Sequence, residues 1–134
     1  MREKVKNWIP YINADLNAAK ILLSEKGRNR WTNIIILWHC QQAIEKTFKM
    51  IIVAKEKELI KIHDLAKLKE IADVELDESN LKFILSLNNY YLRSRYPDMF
   101  YGPLPKPDNN KTKEYFEKTI KLHKWLINYQ KKIK

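Results

Sequence analysis

Hydrophobic positions recur every three or four residues along most of the chain, which is the spacing of amphipathic helices. The first such stripe begins at Pro10, a residue type that is tolerated in a first helical turn, and it ends before the polar loop SEKGRNR. Its apolar positions are Ile12, Leu16, Ala19 and Leu23. The pattern therefore predicts a first helix that buries one face.

The second predicted helix lies in the longest apolar segment, WTNIIILWHCQQAIEKTFKMIIVAK. This segment continues for more than twenty residues without a turn residue, which favours a helix over a strand. Thr32 or Asn33 is predicted to cap its N-terminus. Because its apolar residues cover most of the circumference, we expect other helices or a second chain around it. These residues are Ile34, Ile35, Leu37, Trp38, Ile44, Phe48, Ile51 and Ile52.

Three further helices are predicted in the second half of the chain. A short one covers HDLAKLKEIA, with Leu65, Leu68 and Ala72 inside. The next is capped by Asp77 and ends at Pro97, which disfavours helical geometry at the preceding residue. Its inner positions are Leu81, Ile84, Leu85, Asn88, Tyr91 and Leu92. A proline-rich connection, residues 96–110, leads to a last helix with a stripe at Tyr115, Thr119, Leu122, Leu126, Tyr129 and Ile133.

These patterns predict an all-α fold, an up-and-down bundle of four to five helices. The sequence contains two glycines, too few for the turns of an all-β protein. No internal repeat and no linker divides the chain, so we predict a single domain over residues 1–134.

The chain is strongly basic, with a formal net charge of +10. Residues 111–134 hold eight lysines and two glutamates, so this segment contributes +6. Such a field attracts phosphate ligands, either nucleotides or RNA, or an acidic protein. A solvated lysine-rich surface without a specific partner is the alternative.

Several classes of protein are disfavoured by what the sequence contains. Cys40 is the single cysteine and lies in an apolar run, which indicates a core residue. The three histidines fall on different predicted helices, so we predict no metal site and no cofactor. No apolar run is long enough for a membrane span, and the N-terminus lacks the apolar region of a secretion signal. We expect a cytoplasmic protein that does not contact membranes.

Polar residues interrupt the apolar second helix and also end the fourth. His39, Gln42 and Lys46 share one face, with Glu45 beside them, and Arg93 and Arg95 precede Pro97. A buried polar group without a partner costs about 1 to 3 kcal/mol, so each needs one. One interpretation is an internal network, in which Glu45 neutralises an arginine and Gln42 bridges helices. The other is a ligand-binding site.

Five short motifs occur in an order that resembles the HEPN domain, the "higher eukaryotes and prokaryotes nucleotide-binding" family. The resemblance spans roughly residues 5 to 130. Its motifs are Trp8 with Asp15-Leu16, Trp31, the run CQQAIEK at 40–46, HDL at 63–65 and RYPD at 95–98.

The resemblance implies a helical bundle that forms a homodimer, often with a minimal nucleotidyltransferase as partner in a toxin–antitoxin pair. Many members are metal-independent ribonucleases that place a histidine four to six residues after an arginine. In this sequence no histidine stands there. The positions counted from Arg93 and Arg95 hold Asp98, Met99, Phe100, Tyr101 and Gly102. Histidine is the side chain whose ordinary pKa suits proton transfer at neutral pH, so its absence argues against this nuclease mechanism.

We therefore predict a HEPN-family module that binds nucleotide or RNA, rather than an enzyme, and that pairs with a minimal nucleotidyltransferase. Arginine binds phosphate oxygens in a bidentate manner, and tyrosine rings offer stacking surfaces for bases. The alternative is a metal-independent ribonuclease toxin that uses Arg93 or Arg95 with a histidine from elsewhere in the dimer. The predicted ligand-binding residues are Arg93, Arg95, Tyr96, Asp98, His39, Gln42, Glu45 and Lys46.

Overall fold

A computed structural model describes residues 2–96, 98 and 106–133. Within these residues the chain is all-α, as predicted, and it contains no strand. The helices are α1 (Glu3–Lys6), α2 (Ile9–Leu23), α3 (Arg30–Ala54), α4 (Leu65–Ala72), α5 (Glu78–Arg95) and α6 (Asn109–Lys131). Most of the predicted proline-rich connection, namely residues 97 and 99–105, lies outside the described residues.

The central element is α3, which packs against each of the other five described helices. Its buried side chains include Ile36, Cys40, Ile44, Phe48 and Ile51, all at most 1% exposed. This arrangement confirms the prediction that the long apolar helix is surrounded by others. Its exceptions are in the first two turns, where Trp31 and Ile35 are 51% and 38% exposed.

The N-terminal cap of α3 is Asn29, and the prediction of Thr32 or Asn33 was wrong. The side chain of Asn29 accepts hydrogen bonds from the backbone N–H groups of Trp31 and Thr32. Asn33 instead reaches across to the start of α6, where its amide donates to the Pro107 carbonyl oxygen at 3.1 Å and to Asn109 Oδ1 at 2.9 Å. A capping residue one turn earlier therefore frees Asn33 to join two helices.

Aspartates cap the next three helices. Aspartate is a preferred N-cap residue, because its side-chain oxygen can accept hydrogen bonds from backbone N–H groups of the first turn. Asp64, Asp77 and Asp108 accept from backbone N–H groups in the first turns of α4, α5 and α6. The prediction for Asp77 is confirmed. At the other end of α4, the Lys55 ammonium donates to the carbonyl oxygens of Ala72 and Asp73 at 2.6 and 2.9 Å. Cations are favoured there by the unpaired carbonyls.

Two features differ from the predicted pattern. The first helix begins at Ile9, so Pro10 occupies its second position, and α1 precedes it. A four-residue helix with one apolar residue, Val5, is too short to show a period. Leu85 was predicted to be internal but is 47% exposed, because α5 presents Ile84 and Leu87 to the core instead.

None of the helices in the described part of the chain combines the length and apolar character that crossing a membrane requires.

Candidate functional site

A groove of about 250 Å³ lies where α3 meets the last turn of α5 and the segment before α4. It brings together five of the residues that the sequence marks as a site, although they come from two distant parts of the chain. Those residues are Gln42, Glu45, Lys46, Arg95 and Tyr96, and His63 and Tyr91 complete the lining.

Arg95 is the exposed cation of this groove. Its guanidinium carbon lies 5.3 Å from the ring centroid of Tyr91 and 5.5 Å from that of Trp38. Such cation–π contacts hold the side chain in place. Such contacts occupy no N–H donor, and no hydrogen bond joins the Arg95 guanidinium to another residue that the structure describes. Its donors can therefore bind phosphate oxygens in the bidentate manner typical of arginine.

The residues around Arg95 occupy different positions. Tyr96 is 40% exposed and lines the groove directly. Arg93 is half-buried in the same helical turn and is not among the groove's lining residues. Asp98 is exposed and is also outside the lining. Positions 99–102, which are the others at the spacing of a nuclease histidine, fall outside the described residues.

Glu45 forms the floor of the groove, and its carboxylate is held from two sides. Oε2 accepts from the Lys49 ammonium at 3.0 Å, and Oε1 lies 2.9 Å from His63 Nδ1. The Gln41 amide donates to the backbone oxygen of His63 at 2.8 Å and so fixes that residue. The Gln41 amide also donates to Oε1 at 3.4 Å. The partners of this carboxylate among the described residues are thus a lysine, a histidine and a glutamine, where the internal-network interpretation expected an arginine.

His63 lines the groove although it was not among the predicted ligand-binding residues; the sequence signal for it was its place in the HDL motif of the family resemblance. Its side chain is 59% exposed although Nδ1 contacts the buried Glu45 carboxylate. Because a carboxylate accepts, Nδ1 donates, and in the neutral tautomer Nε2 remains an acceptor. The predicted helix HDLAKLKEIA included His63, but α4 begins at Leu65 and Asp64 caps it, so His63 precedes the helix and helical periodicity could not place it beside Arg95.

His39 and Lys46 meet a second buried carboxylate, that of Asp15 in α2. Asp15 Oδ1 lies 3.0 Å from His39 Nδ1, and Oδ2 accepts from the Lys46 ammonium at 2.6 Å. His39 therefore serves this contact and does not line the groove. A sequence signal for Asp15 existed, since it lies on the buried stripe of α2 between Ile12 and Ala19.

The electrostatic balance of the groove favours anions. Each of the two buried carboxylates, Asp15 and Glu45, is within 3.0 Å of a lysine ammonium. These pairs are locally neutral, so the charge of Arg95 is additional. The groove therefore carries one positive charge beyond its two ion pairs.

A larger groove, of about 480 Å³, lies between the N-terminal ends of α3 and α6. Asn29 and Asp108 in its lining are helix caps, and Asn33 joins the two helices. Asn29, Asn33 and Asp108 thus serve the fold, and none of the site residues predicted from the sequence lines this groove.

The described residues contain no group of three or more histidines, cysteines, aspartates or glutamates that could hold a metal ion. Cys40 is fully buried, and this burial raises the pKa of its thiol to about 12. Because the thiolate is the reactive form, Cys40 is a core residue and not a nucleophile.

Comparison with known proteins identifies both the family and the fold. A family model described as "HEPN domain" matches residues 5–133. The crystal structure of an archaeal HEPN homologue superposes with a TM-score of 0.70 over 97% of this chain and 99% of that one, at 22% sequence identity. No curated protein matches the sequence.

Proposed function

The chain belongs to the HEPN domain family, and from this premise we propose that it is a nucleotide- or RNA-binding module. The phosphate contacts are assigned to Arg95 and Lys46, with Gln42 and Tyr96 beside them. In this proposal the module acts by binding, and catalysis is not required.

One observation carries the proposal: the Arg95 guanidinium stands exposed in the groove against two aromatic rings. Burial in a dry ion pair would have made it unavailable to a ligand. The lysine–carboxylate pairs beneath it neutralise each other, so an incoming phosphate meets a net positive charge.

Filter binding of a short RNA over a series of salt concentrations tests this function. We expect log K to fall linearly with log salt, because phosphate binding releases counterions. Arg95→Ala should weaken binding and reduce the salt slope by about one unit. The matched control is Arg30→Ala, since Arg30 is also exposed and also lies over a tryptophan, Trp31, at 4.7 Å. Equal binding by wild type and Arg95→Ala would contradict the proposal.

A second candidate function, a metal-independent ribonuclease, is favoured by the placement of His63. The Glu45 carboxylate orients its ring, and Arg95 lines the same groove. In this mechanism His63 Nε2 accepts the proton of an RNA 2′-hydroxyl as that oxygen attacks the adjacent phosphate. The bond from phosphorus to the 5′-oxygen breaks, and the 5′-oxygen takes a proton from water and leaves as a 5′-hydroxyl. In this candidate function His63 takes the role of the histidine that is missing after the arginines.

Incubation of purified protein with RNA in the presence of a chelator tests this second function. Cleavage products ending in a 2′,3′-cyclic phosphate are expected from the wild type and not from His63→Ala. The control is His39→Gln, because His39 does not line the groove. RNA that stays intact with the wild-type protein excludes the ribonuclease and leaves the binding module.

The proposed partners are a second copy of this chain and a minimal nucleotidyltransferase, as in a toxin–antitoxin pair. Both rest on the resemblance to the family, to which dimerisation is common. A neighbouring reading frame that encodes a small nucleotidyltransferase would support the pairing, and copurification of the two proteins would test it.

A further inference from the structure

Another groove, of about 380 Å³, adjoins the groove of Arg95. Lys46 lines both of these grooves. Its other lining residues, Asn7, Trp8 and Tyr11, come from the end of α1 and the start of α2. The Tyr11 side chain is 65% exposed, whereas Trp8 is partly buried against the core residues of α2 and α3. Two large aromatic side chains thus form an open, mainly apolar surface directly beside a cation.

Lys46 connects the two grooves chemically as well as spatially. Its ammonium donates to Asp15 at 2.6 Å, and an ammonium has three donors, so this contact does not exhaust it. The Asp15 carboxylate also meets His39 on its other oxygen, so it is held within the protein. A phosphate placed between Lys46 and Arg95 would therefore lie within reach of both grooves.

We propose that the two grooves form one binding site for single-stranded nucleic acid. The phosphate lies between Lys46 and Arg95, and an adjacent base stacks on Trp8 and Tyr11. This inference rests on the proposed function for its phosphate half and adds a base-binding half. The Asn7 amide can donate and accept on the edge of that base.

The chemistry of the surface favours a nucleic acid over an apolar peptide as occupant. A peptide side chain would fill the aromatic groove but would bring no anion to Lys46 and Arg95. A nucleotide chain supplies an aromatic face and a phosphate within one repeat. It must be single-stranded, because the faces of paired bases are covered by their neighbours in a duplex.

Fluorescence anisotropy with two labelled RNAs of about six nucleotides tests the inference. One RNA carries normal bases, and the other has the same backbone with abasic positions. Tyr11→Ala should weaken binding of the normal RNA about 5- to 150-fold and leave binding of the abasic RNA unchanged. Arg95→Ala should weaken both. The matched control is Trp125→Ala, which removes an exposed aromatic residue, 45% accessible, from α6.

The variants distinguish failure of this inference from failure of the proposed function. If Tyr11→Ala leaves binding of the normal RNA unchanged, or weakens binding of both RNAs equally, the base-binding half is overturned. Weaker binding by Arg95→Ala would still support the phosphate site in that case. If Arg95→Ala affects binding of neither RNA, the proposed function itself fails.

Two variants of Trp8 test the stacking directly. Trp8→Phe keeps an aromatic ring at this partly buried position, and Trp8→Leu does not. Stacking is supported if Trp8→Phe still binds RNA and Trp8→Leu does not, provided that the two variants have equal thermal stability. Equal RNA binding by Trp8→Phe and Trp8→Leu overturns it.

Discussion

At the scale of single residues, His123 shows how its surroundings set the protonation of a side chain. Its Nδ1 lies 3.1 Å from Thr47 Oγ1 in α3. The Thr47 hydroxyl donates its one proton to the Ala43 carbonyl oxygen at 2.7 Å, so it can only accept from His123. Burial lowers the pKa of His123, because the charged ring would lose hydration.

This lowered pKa predicts a loss of stability in mild acid. Below the ordinary pKa of histidine, about 6.5, the unfolded chain binds a proton that folded His123 does not. The free energy of unfolding should therefore fall as the pH drops from about 6.5 towards the lower pKa of the folded state. Urea denaturation at about pH 7.5 and about pH 5.5 measures the effect.

The comparison with His123→Gln isolates this contribution, since His39 and His63 are present in both proteins. The wild type should lose more stability between the two pH values than the variant does. An equal loss in both proteins, or a larger loss in the variant, would show that His123 does not destabilise the fold in acid.

At the scale of helices, Asp15 ties α2 to α3 by ionic contacts within an otherwise apolar interface. Its side chain is 8% exposed and contacts His39 and Lys46. A buried carboxylate loses hydration and is tolerated only when its partners replace the lost hydrogen bonds. Its removal leaves Lys46, a partly buried cation, without its carboxylate.

We predict that Asp15→Ala lowers the free energy of unfolding by about 3 kcal/mol. Asp15→Asn should cost less, because the amide oxygen still accepts from Lys46. The matched control is Glu114→Ala, which removes an exposed carboxylate paired with Lys118 at 2.9 Å on α6. Such surface pairs contribute about 0.5 kcal/mol. Chemical denaturation of the three variants checks the order, and a similar small loss in all three would contradict it.

At the scale of the whole molecule, the exposed part of α3 is where a second copy of the chain could bind. Trp31 and Ile35 lie one helical turn apart and are both exposed, although the rest of this helix is mostly buried. The family resemblance implies a homodimer. The apolar side chains of α3 that the bundle does not cover would be buried if a second chain packed against them.

Light scattering should therefore report twice the 16.2 kDa of one chain. Ile35→Glu should shift the protein towards the monomer, because a charge at the contact loses hydration. Leu85→Glu, at an exposed apolar position of α5, is the control and should leave the mass unchanged. Circular dichroism should be the same for all three proteins. A wild type that is monomeric at every concentration would refute the dimer.

The helix caps show how far local sequence reasoning reaches. Asp77 was predicted correctly as the N-cap of α5, because an aspartate directly before an apolar helical stripe is typical of a helix N-terminus. At the start of α3 three polar residues compete, and the backbone of Asn29 is the extended one, with φ −123° and ψ −174°. Asn33 is used instead by the start of α6, 74 residues away in the chain, which no local pattern could show.

The sequence by itself determined that the chain is all-α, where its main helices lie and which stripes of most of them are buried. It also predicted eight ligand-binding residues. Five of them line one groove, namely Gln42, Glu45, Lys46, Arg95 and Tyr96, and His39, Arg93 and Asp98 do not line it. These are consequences of the helical period and of local residue preferences, which act within a few turns. Only the tertiary structure decided that Asp15 holds His39 and Lys46, and that His63 joins the groove of Arg95. The period of a helix does not specify its rotation and register against its neighbours, and packing of the whole core sets those.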